Sequence, residues 1–499
     1  MSEYKLPFDL NGVHIHFVGI KGTGMAALTE ILCARGAVIT GSDVADVFYT
    51  DKVLQRCGIN PSLFSEENIT DSINCVVYSS AYNASSNCEL AKANQLGIPC
   101  LLYSDALGQL SANAYSCGIA GVHGKTTTTG LTGTLIHGLG IKAQVLAGSV
   151  ISSFGEADGE GSCTMTDGSD YFVAETCEYQ RHFMAFHPKK IILTSVESDH
   201  QDYYPTYNDI RDAFVDYACL LPQNGELIYC ADDAGATEVA QIVSKKREDI
   251  KLTQYGITAK GNYRITFGDV CDGHQYFYLD GFKSHKFALK MPGKHLVLNA
   301  SAGIALAVSL LQHETNQNED TIFTQQIAEK ISEALLNFRG GKRRTELVGQ
   351  VDSVIFLDDY GHHPTAIKTT LEGYRAFYPK RKIIVDFMSH TYTRTAALLE
   401  EFASSFSAAD KVVLHKIYGS ARENASATGI TGKTLFESTK KYHKDVSYYE
   451  EIMDAYEPLL SELSEKDSDY PDGTVFVTMG AGDNWKLGKA LFQQFSKNI

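Results

Sequence analysis

Basic residues are in deficit: 44 Lys and Arg stand against 60 Asp and Glu, a formal net charge of −16. Proteins that grip phosphodiester backbones or anionic lipid surfaces need the opposite balance, which excludes nucleic acid and membrane surfaces as principal partners. Nucleotides are not excluded, since a local basic cluster suffices for them. No apolar run reads as long enough to span a bilayer, and the first twenty residues lack a secretory pattern. There is no C-x-x-C pair and no cysteine beyond Cys271. Eleven thiols, an odd number in a chain without a leader, predict reduced and mostly buried cysteines in a cytoplasmic protein with no zinc centre. Internal repeats are also lacking. What is present is ordinary for a soluble globular protein: 44% hydrophobic and 21% charged residues in 499 positions, enough for about three domains.

The most informative stretch is Gly121-Val122-His123-Gly124-Lys125-Thr126-Thr127-Thr128-Thr129. Tyr115–Ala120 before it reads as a buried strand, and the run to His137 after it reads as a helix. Strand, glycine loop and helix N-terminus together offer backbone N–H groups and a helix dipole to an anion. Lys125 would add a point charge on the β- and γ-phosphates, and Thr126 a hydroxyl for Mg²⁺. The loop departs from the eight-residue phosphate-loop pattern, because Ile119 stands where that pattern has its first glycine.

The rest of the chain alternates strand and helix signals, which predicts α/β architecture with parallel sheets. The expected layout is a Rossmann-like N-terminal domain over 1–112, a P-loop ATPase-like central domain over 113–333, and a Rossmann-like C-terminal domain over 334–499. In the first, His14–Ile20, Ala37–Asp43, Asn74–Ser79 and Ile98–Tyr103 read as strands, with a helix over Met25–Arg35. In the second, Asp170–Glu175, Lys190–Ser195 and Glu226–Cys230 are strands, Asn262–Met291 is a small antiparallel insert, Leu296–Leu311 an amphipathic helix and Gln312–Asp320 a loop. In the third, Val354–Tyr360, Lys382–Met388, Lys411–Ile417 and Thr474–Gly480 are strands, and Ser461–Gly473 a surface loop.

A second glycine loop, Gly19-Ile20-Lys21-Gly22-Thr23-Gly24-Met25-Ala26-Ala27, joins the first strand to the first helix. Gly22, Gly24 and Ala27 fit the dinucleotide fingerprint, and Asp43 ends the next strand where a ribose-binding carboxylate would sit. Alone, this loop predicts a nicotinamide-dependent dehydrogenase. Lys21 inside it, and the separate phosphate loop at Gly121, favour a site for another nucleotide diphosphate.

Motifs spread over the whole length resemble those of the Mur ligases. They comprise the two glycine loops, Gly41-Ser42-Asp43, Ser79-Ser80-Ala81, Glu175-Thr176-Cys177-Glu178-Tyr179-Gln180-Arg181-His182-Phe183 and Glu197-Ser198-Asp199-His200. His295 with Asn299, Phe338 through Arg344, Asp358 through Thr365, His390 through Thr395 and Gly480-Ala481-Gly482-Asp483 continue the series. The resemblance implies an ATP-dependent amide ligase that forms an acyl phosphate from a carboxylate and passes it to an amine. Gly24 favours the branch that adds one L-alanine to UDP-N-acetylmuramate over the branch that reattaches a tripeptide.

The resemblance also implies roles. Gly22, Thr23, Gly24, Met25, Ser42, Asp43, Ser79 and Ser80 would hold the uridine diphosphate sugar. Gly121, His123, Gly124, Lys125, Thr126, Thr127, His295, Asn299, Arg343, Arg344 and Asp359 would hold ATP. Leu296, where an asparagine is common in the family, departs from the usual adenine side. Thr126, Glu175 and His200 would ligate Mg²⁺. Tyr360, His362, His390 and Arg394 would receive the amino acid, with Lys125, His362 and Arg394 closest to the chemistry. The expected partners are these small molecules, with the chain a monomer or homodimer. Two other readings stay open at this point: the dehydrogenase, and a nucleotide-sensing scaffold without ligation.

Overall fold

The computed structural model describes residues 4–155, 161–283, 285–419 and 429–497. The first sheet has the order β3-β2-β1-β4-β5, formed by β1 (His14–Val18), β2 (Val38–Asp43), β3 (Ser62–Leu63), β4 (Cys75–Tyr78) and β5 (Cys100–Leu102). Its strand pairings are all parallel. The strand order reverses between β1 and β4, so the loops leaving those two strands part and leave a crevice at their carboxyl ends.

The second sheet has the order β12-β11-β10-β6-β9-β7-β8. Its strands are β6 (Tyr115–Ala120), β7 (Ala143–Ile151), β8 (Ser162–Thr166), β9 (Tyr171–Glu175), β10 (Lys190–Leu193), β11 (Glu226–Cys230) and β12 (Lys251–Tyr255). Only β8 runs antiparallel, on the outer side of β7. The central strand β6 lies between β10 and β9, again a point where the winding reverses.

These two sheets belong to one compact unit, which runs to Phe267 and takes in Tyr278–Phe287 and Leu298–Phe338. One apolar cluster runs through it, from Leu6 and Phe17 to Phe214 and Val243. The helix Thr23–Ala34, set by the first glycine loop, packs on β7 and β8. Beside it, Arg35 donates to Gln144 Oε1 at 3.0 and 2.6 Å, and Arg56 to the Gly161 carbonyl at 2.5 Å. The first glycine loop and the phosphate loop are therefore mounted on one compact unit.

The second unit comprises Gly268–Phe277, Ala288–Val297 and the chain from Arg339 onward. Its sheet has the order β16-β17-β21-β18-β19-β20. These are β16 (Glu346–Val351), β17 (Val354–Asp359), β18 (Lys382–Phe387), β19 (Lys411–Leu414), β20 (Val446–Tyr448) and β21 (Thr474–Met479). Only β16 is antiparallel to its neighbour. The expected insert at Asn262–Met291 forms a separate sheet of β13 (Ile265–Cys271), β14 (His274–Leu279) and β15 (Phe287–Leu289). Asp272 and Gly273, both at positive φ, make the two-residue turn between β13 and β14.

Three expectations need correcting. The helix expected over Leu296–Leu311 runs Lys294–Thr315, and is long and apolar enough to cross a membrane by length and composition. Nor is it amphipathic, since Ala300–Leu310 is buried on every side and 78% of its apolar window lies inside the protein. Gln312–Asp320 is not all loop, because that helix continues to Thr315 and a short one spans Glu319–Ile322. Ser461–Gly473 likewise opens with the end of a helix, Tyr456–Ser464.

One buried ion pair joins β10 to β11. Lys190 Nζ lies 2.8 Å from Glu226 Oε2, and Ser309 Oγ and Thr253 Oγ1 donate to the same carboxylate at 2.5 and 2.6 Å. Burial alone would raise the Glu226 pKa, but Lys190 and Lys251 overcome it and hold the carboxylate at about 2. A depressed folded-state pKa contributes stability above the ordinary value of 4.5 and loses it as pH falls towards 2. Lys190→Met should destabilise the fold by about 3 kcal/mol at pH 7, because it leaves Glu226 buried with only the half-exposed Lys251, 3.3 Å away, as counter-charge. Thermal melts from pH 7 to 3 should show the wild type losing this contribution on acidification, with the variant's curve flatter over the same interval.

Candidate active site

The first glycine loop opens into a cavity of about 260 Å³. Gly22, Thr23, Gly24 and Met25 line it from the end of β1, Ser79 and Ser80 from the end of β4, and Leu102, Tyr103 and Ser104 from the end of β5, with His182 opposite. Six of the eight residues expected at the sugar nucleotide thus share one wall. Ser42 and Asp43 do not line it. Ser42 donates its hydroxyl to the buried Glu89, and the Asp43 carboxylate accepts the Lys21 N–H at 2.7 Å and the Val44 N–H at 2.8 Å. Lys21 turns its ammonium to the Val44 and Asp46 carbonyls at 3.0 and 2.8 Å, which ties down the following loop rather than facing the cavity.

A second cavity, of about 180 Å³, shares Gly24, Tyr103, Ser104 and His182 with the first and reaches Glu175, Thr176 and Cys177. Burial and the nearby Glu175 carboxylate push the Tyr103 phenol up. A path thus leads from the first glycine loop to the carboxyl end of β9.

The phosphate loop lies beside that end. Gly124, at φ +80°, caps the helix Lys125–Gly138, and a Cβ there would come within 2.8 Å of Asn299 Oδ1. Asn299 is therefore against the loop. His123 donates its N–H to Ser195 Oγ at 2.9 Å and pairs with Glu197. Thr127 follows within the first turn of the helix. Thr126 Oγ1 donates to Glu175 Oε1 at 3.2 Å, and the Gly148 N–H donates to Glu175 Oε2 at 2.8 Å.

Lys125 meets Glu178 at 3.0 and 2.9 Å, and also reaches the Gly121 carbonyl at 2.5 Å and the Val122 carbonyl at 3.3 Å. Burial would lower its pKa, but Glu178 and Glu175 outweigh burial and hold the ammonium above its ordinary range. Glu178 is held low in turn, because Lys125 and His200 overcome the cost of burial. His200 Nε2 lies 3.3 Å from Glu178 Oε1. Its backbone sits at φ +54°, with its carbonyl accepting the N–H groups of Tyr203 and Tyr204 at 2.8 and 2.7 Å. A non-glycine residue pinned in that region is characteristic of functional sites.

The Thr126 hydroxyl and the Glu175 carboxylate offer the oxygen donors that suit a hard divalent cation, while the His200 ring faces Glu178. The room is built in at Gly148, where a Cβ would stand 2.5–2.7 Å from the Glu175 carboxyl group.

The second unit gathers the remaining residues at the carboxyl ends of β17, β21 and β18. Asp359 is buried, with Oδ2 accepting the Thr345 N–H at 2.7 Å and Oδ1 the Gly361 N–H at 2.8 Å. Arg343 is committed within the unit: Nε donates to Asp358 at 3.2 Å and Nη2 to the Gly480 carbonyl at 2.6 Å. Burial pushes Asp358 up to about 6, against the pull of Arg343. The Arg343 and Arg344 guanidinium groups both lie over the Tyr360 ring, at 5.3 and 4.8 Å. His362 Nδ1 is 3.0 Å from the Tyr360 carbonyl, and His390 Nδ1 is 2.9 Å from the Tyr418 carbonyl. Arg394 is nearly buried and donates to the His390 carbonyl at 2.9 Å. His295 is enclosed as well, and burial lowers its pKa while Asp359 opposes the shift.

Sequence reasoning gave no role to Glu178, His182, Tyr103 or Ser104. Glu178 had a signal, a second acid three positions after Glu175. Tyr103 and Ser104 had none, because only the sheet order brings the end of β5 beside the end of β1's loop.

Comparisons with known proteins cover most of the chain. The Mur ligase family, catalytic domain, matches residues 14–115; the Mur ligase middle domain matches 119–307; and the Mur ligase, glutamate ligase domain, matches 343–482. UDP-N-acetylmuramate–L-alanine ligase of Treponema pallidum (strain Nichols) is 49% identical over 500 residues, covering 100% of both chains. The enzyme of the same name from Borrelia garinii subsp. bavariensis is 37% identical, covering 97% of this chain and 99% of its own. Among solved structures, UDP-N-acetylmuramate-alanine ligase from Thermotoga maritima superposes with a TM-score of 0.74 at 23% identity, covering 97% of this chain and 100% of that one. At that identity the superposition speaks for the fold.

Gly148→Ala tests the cradle around Glu175. The added methyl should displace the carboxylate and weaken divalent-cation-dependent nucleotide binding at least about tenfold, with the melting temperature little changed. Calorimetric titration with and without the cation would read it, and undiminished binding would remove Glu175 from the cation's surroundings.

Proposed function

The chain belongs to the Mur ligase family, and from that premise we propose that it joins L-alanine to the carboxylate of UDP-N-acetylmuramate at the expense of ATP. The observation that carries this reading is the shared wall of the two cavities. The cavity at the loop suited to a uridine diphosphate sugar joins one that reaches Glu175, and Glu175 accepts the hydroxyl of Thr126 from the loop suited to ATP phosphates, all within one compact unit. Relatives of that name at 49% and 37% identity over nearly the whole chain support the same substrates.

The chemistry follows in two steps. A carboxylate oxygen of the muramoyl group attacks the γ-phosphorus and ADP leaves, forming an acyl phosphate. The alanine nitrogen then attacks the acyl carbon, inorganic phosphate departs, and the nitrogen loses a proton as the amide forms. Such transfers depend on positioning and on neutralising charge that develops on phosphoryl oxygens. Lys125 and the N–H groups of the loop from Gly121 to Thr127 serve that purpose at the helix N-terminus. Mg²⁺, when bound, would neutralise phosphate charge, and Thr126, Glu175 and His200 are the residues proposed to hold it. Their oxygen-rich donor set and the space left by Gly148 support the assignment.

The other assignments extend the reading. Arg394 suits a small carboxylate because a guanidinium pairs with it through two parallel hydrogen bonds. Tyr360, His362 and His390 are proposed around the amino acid. His295, Asn299, Arg343, Arg344 and Asp359 are proposed for ATP, and the Gly22–Met25 loop with Ser79 and Ser80 for the sugar nucleotide. A cytoplasmic enzyme, monomeric or homodimeric, remains the proposal; its cysteines are free thiols, though only four of the eleven are buried, against the expectation that most would be.

Phosphate release should require ATP, UDP-N-acetylmuramate and L-alanine together. Lys125→Ala should lower kcat about a thousandfold with the fold intact, the scale seen when one charge-stabilising donor is removed. Release without the sugar nucleotide, or an undiminished rate in the variant, would overturn the assignment.

A further inference from the structure

Lys125 is fully occupied. An ammonium has three N–H donors, and four acceptors surround this one: both Glu178 oxygens, the Gly121 carbonyl and the Val122 carbonyl. No donor is left over for a phosphate oxygen. Glu178 is 3% exposed and Lys125 14%, so solvent screens the pair weakly. The Glu178 main chain is held apart from its carboxylate, since its carbonyl accepts the Tyr204 hydroxyl at 2.6 Å. The carboxylate can therefore move while the backbone stays in place.

We propose that Glu178 is a positioning residue that holds Lys125 in the nucleotide-free enzyme and must yield it when ATP binds. The proposal rests on the reading of the phosphate loop as the ATP site. Glu178 stands in for the phosphate: it gives the buried ammonium a counter-charge while the loop is empty, and it keeps the loop shaped around that ammonium. A triphosphate brings several negative charges to the same place, where a like-charged carboxylate on the same ammonium repels it. Part of the binding free energy then goes into displacing Glu178, and the measured affinity is lower than the loop's own. Once the γ-phosphoryl group has left as phosphate, Glu178 retakes Lys125 and favours release of ADP.

Removing the charge should therefore tighten nucleotide binding, a direction that loss of a merely structural contact does not produce. Titration of the full-length protein with a non-hydrolysable ATP analogue and Mg²⁺ reads it by calorimetry. Glu178→Gln keeps the shape and a hydrogen-bond acceptor but removes the competing charge, and its Kd should fall about tenfold. Its kcat should fall as well, because ADP leaves more slowly. Glu178→Asp retains the charge on a shorter arm and should fall between the two. Equal or weaker binding by a folded Glu178→Gln protein would overturn the proposal. Should that variant fail to fold, Glu178→Asp decides alone: a several-fold tighter Kd supports the proposal and an unchanged or weaker one overturns it. If neither wild type nor variant binds the analogue, the ATP reading of the loop falls too, whereas binding by both with equal Kd removes only the role of Glu178.

Discussion

A positive charge at the start of a buried helix must be matched, and much of this structure follows from how Lys125 is matched. The helix Lys125–Gly138 begins shortly after β6, the central strand of its sheet. Its N-terminus, already favourable to anions through unpaired N–H groups, gains a full positive charge. Two acids answer it, Glu175 from the end of β9 and Glu178 just beyond, and β9 is the direct neighbour of β6. In the low-dielectric surroundings Lys125 and Glu178 hold each other in their ionised forms, each shifted in the direction its partner demands. A triphosphate with a divalent cation is the ligand proposed for such an array.

The second requirement is that an acid reach this array. The helix Thr23–Ala34 starts at the first glycine loop and packs on β7 and β8, so ordinary core packing ties the crevice proposed for the sugar nucleotide to the sheet that carries the phosphate loop. The common lining of Gly24, Tyr103, Ser104 and His182 connects that crevice to the cavity that reaches Glu175. Anchoring both loops on one core removes much of the entropic cost of bringing two substrates together.

Much of this was legible in the sequence, and unevenly so for physical reasons. Tyr115–Ala120 and Glu226–Cys230 are short apolar runs bounded by turn residues, and both are strands with those limits. Ala143–Ile151 escaped notice because Gly148 and Ser149 break its apolar run, and Gly148 is there to admit the Glu175 carboxylate. Glu346–Val351 escaped because a shift between Leu347 and Gly349 spoils its alternation. The Lys294–Thr315 helix carries polar Asn299, Ser301 and Ser309, yet all three are buried, and Ser309 is bonded to Glu226. At the site, Lys125 and Thr126 are neighbours in the sequence, and the pairing of β6 with β9 brings Glu175 to them. The side chains of Ser42 and Asp43 secure the first loop and its neighbours. Glu178 gained its meaning only from its distance to Lys125, which no local pattern encodes.

The central claim is that a substrate carboxylate is activated by direct transfer of the terminal phosphoryl group of ATP. It is tested most directly by running the reaction with UDP-N-acetylmuramate carrying ¹⁸O in its carboxylate and analysing the released phosphate by mass spectrometry. The account predicts one labelled oxygen in the phosphate for each amide formed, because the bridging oxygen of the acyl phosphate leaves with phosphorus. Phosphate free of label alongside amide formation would contradict it.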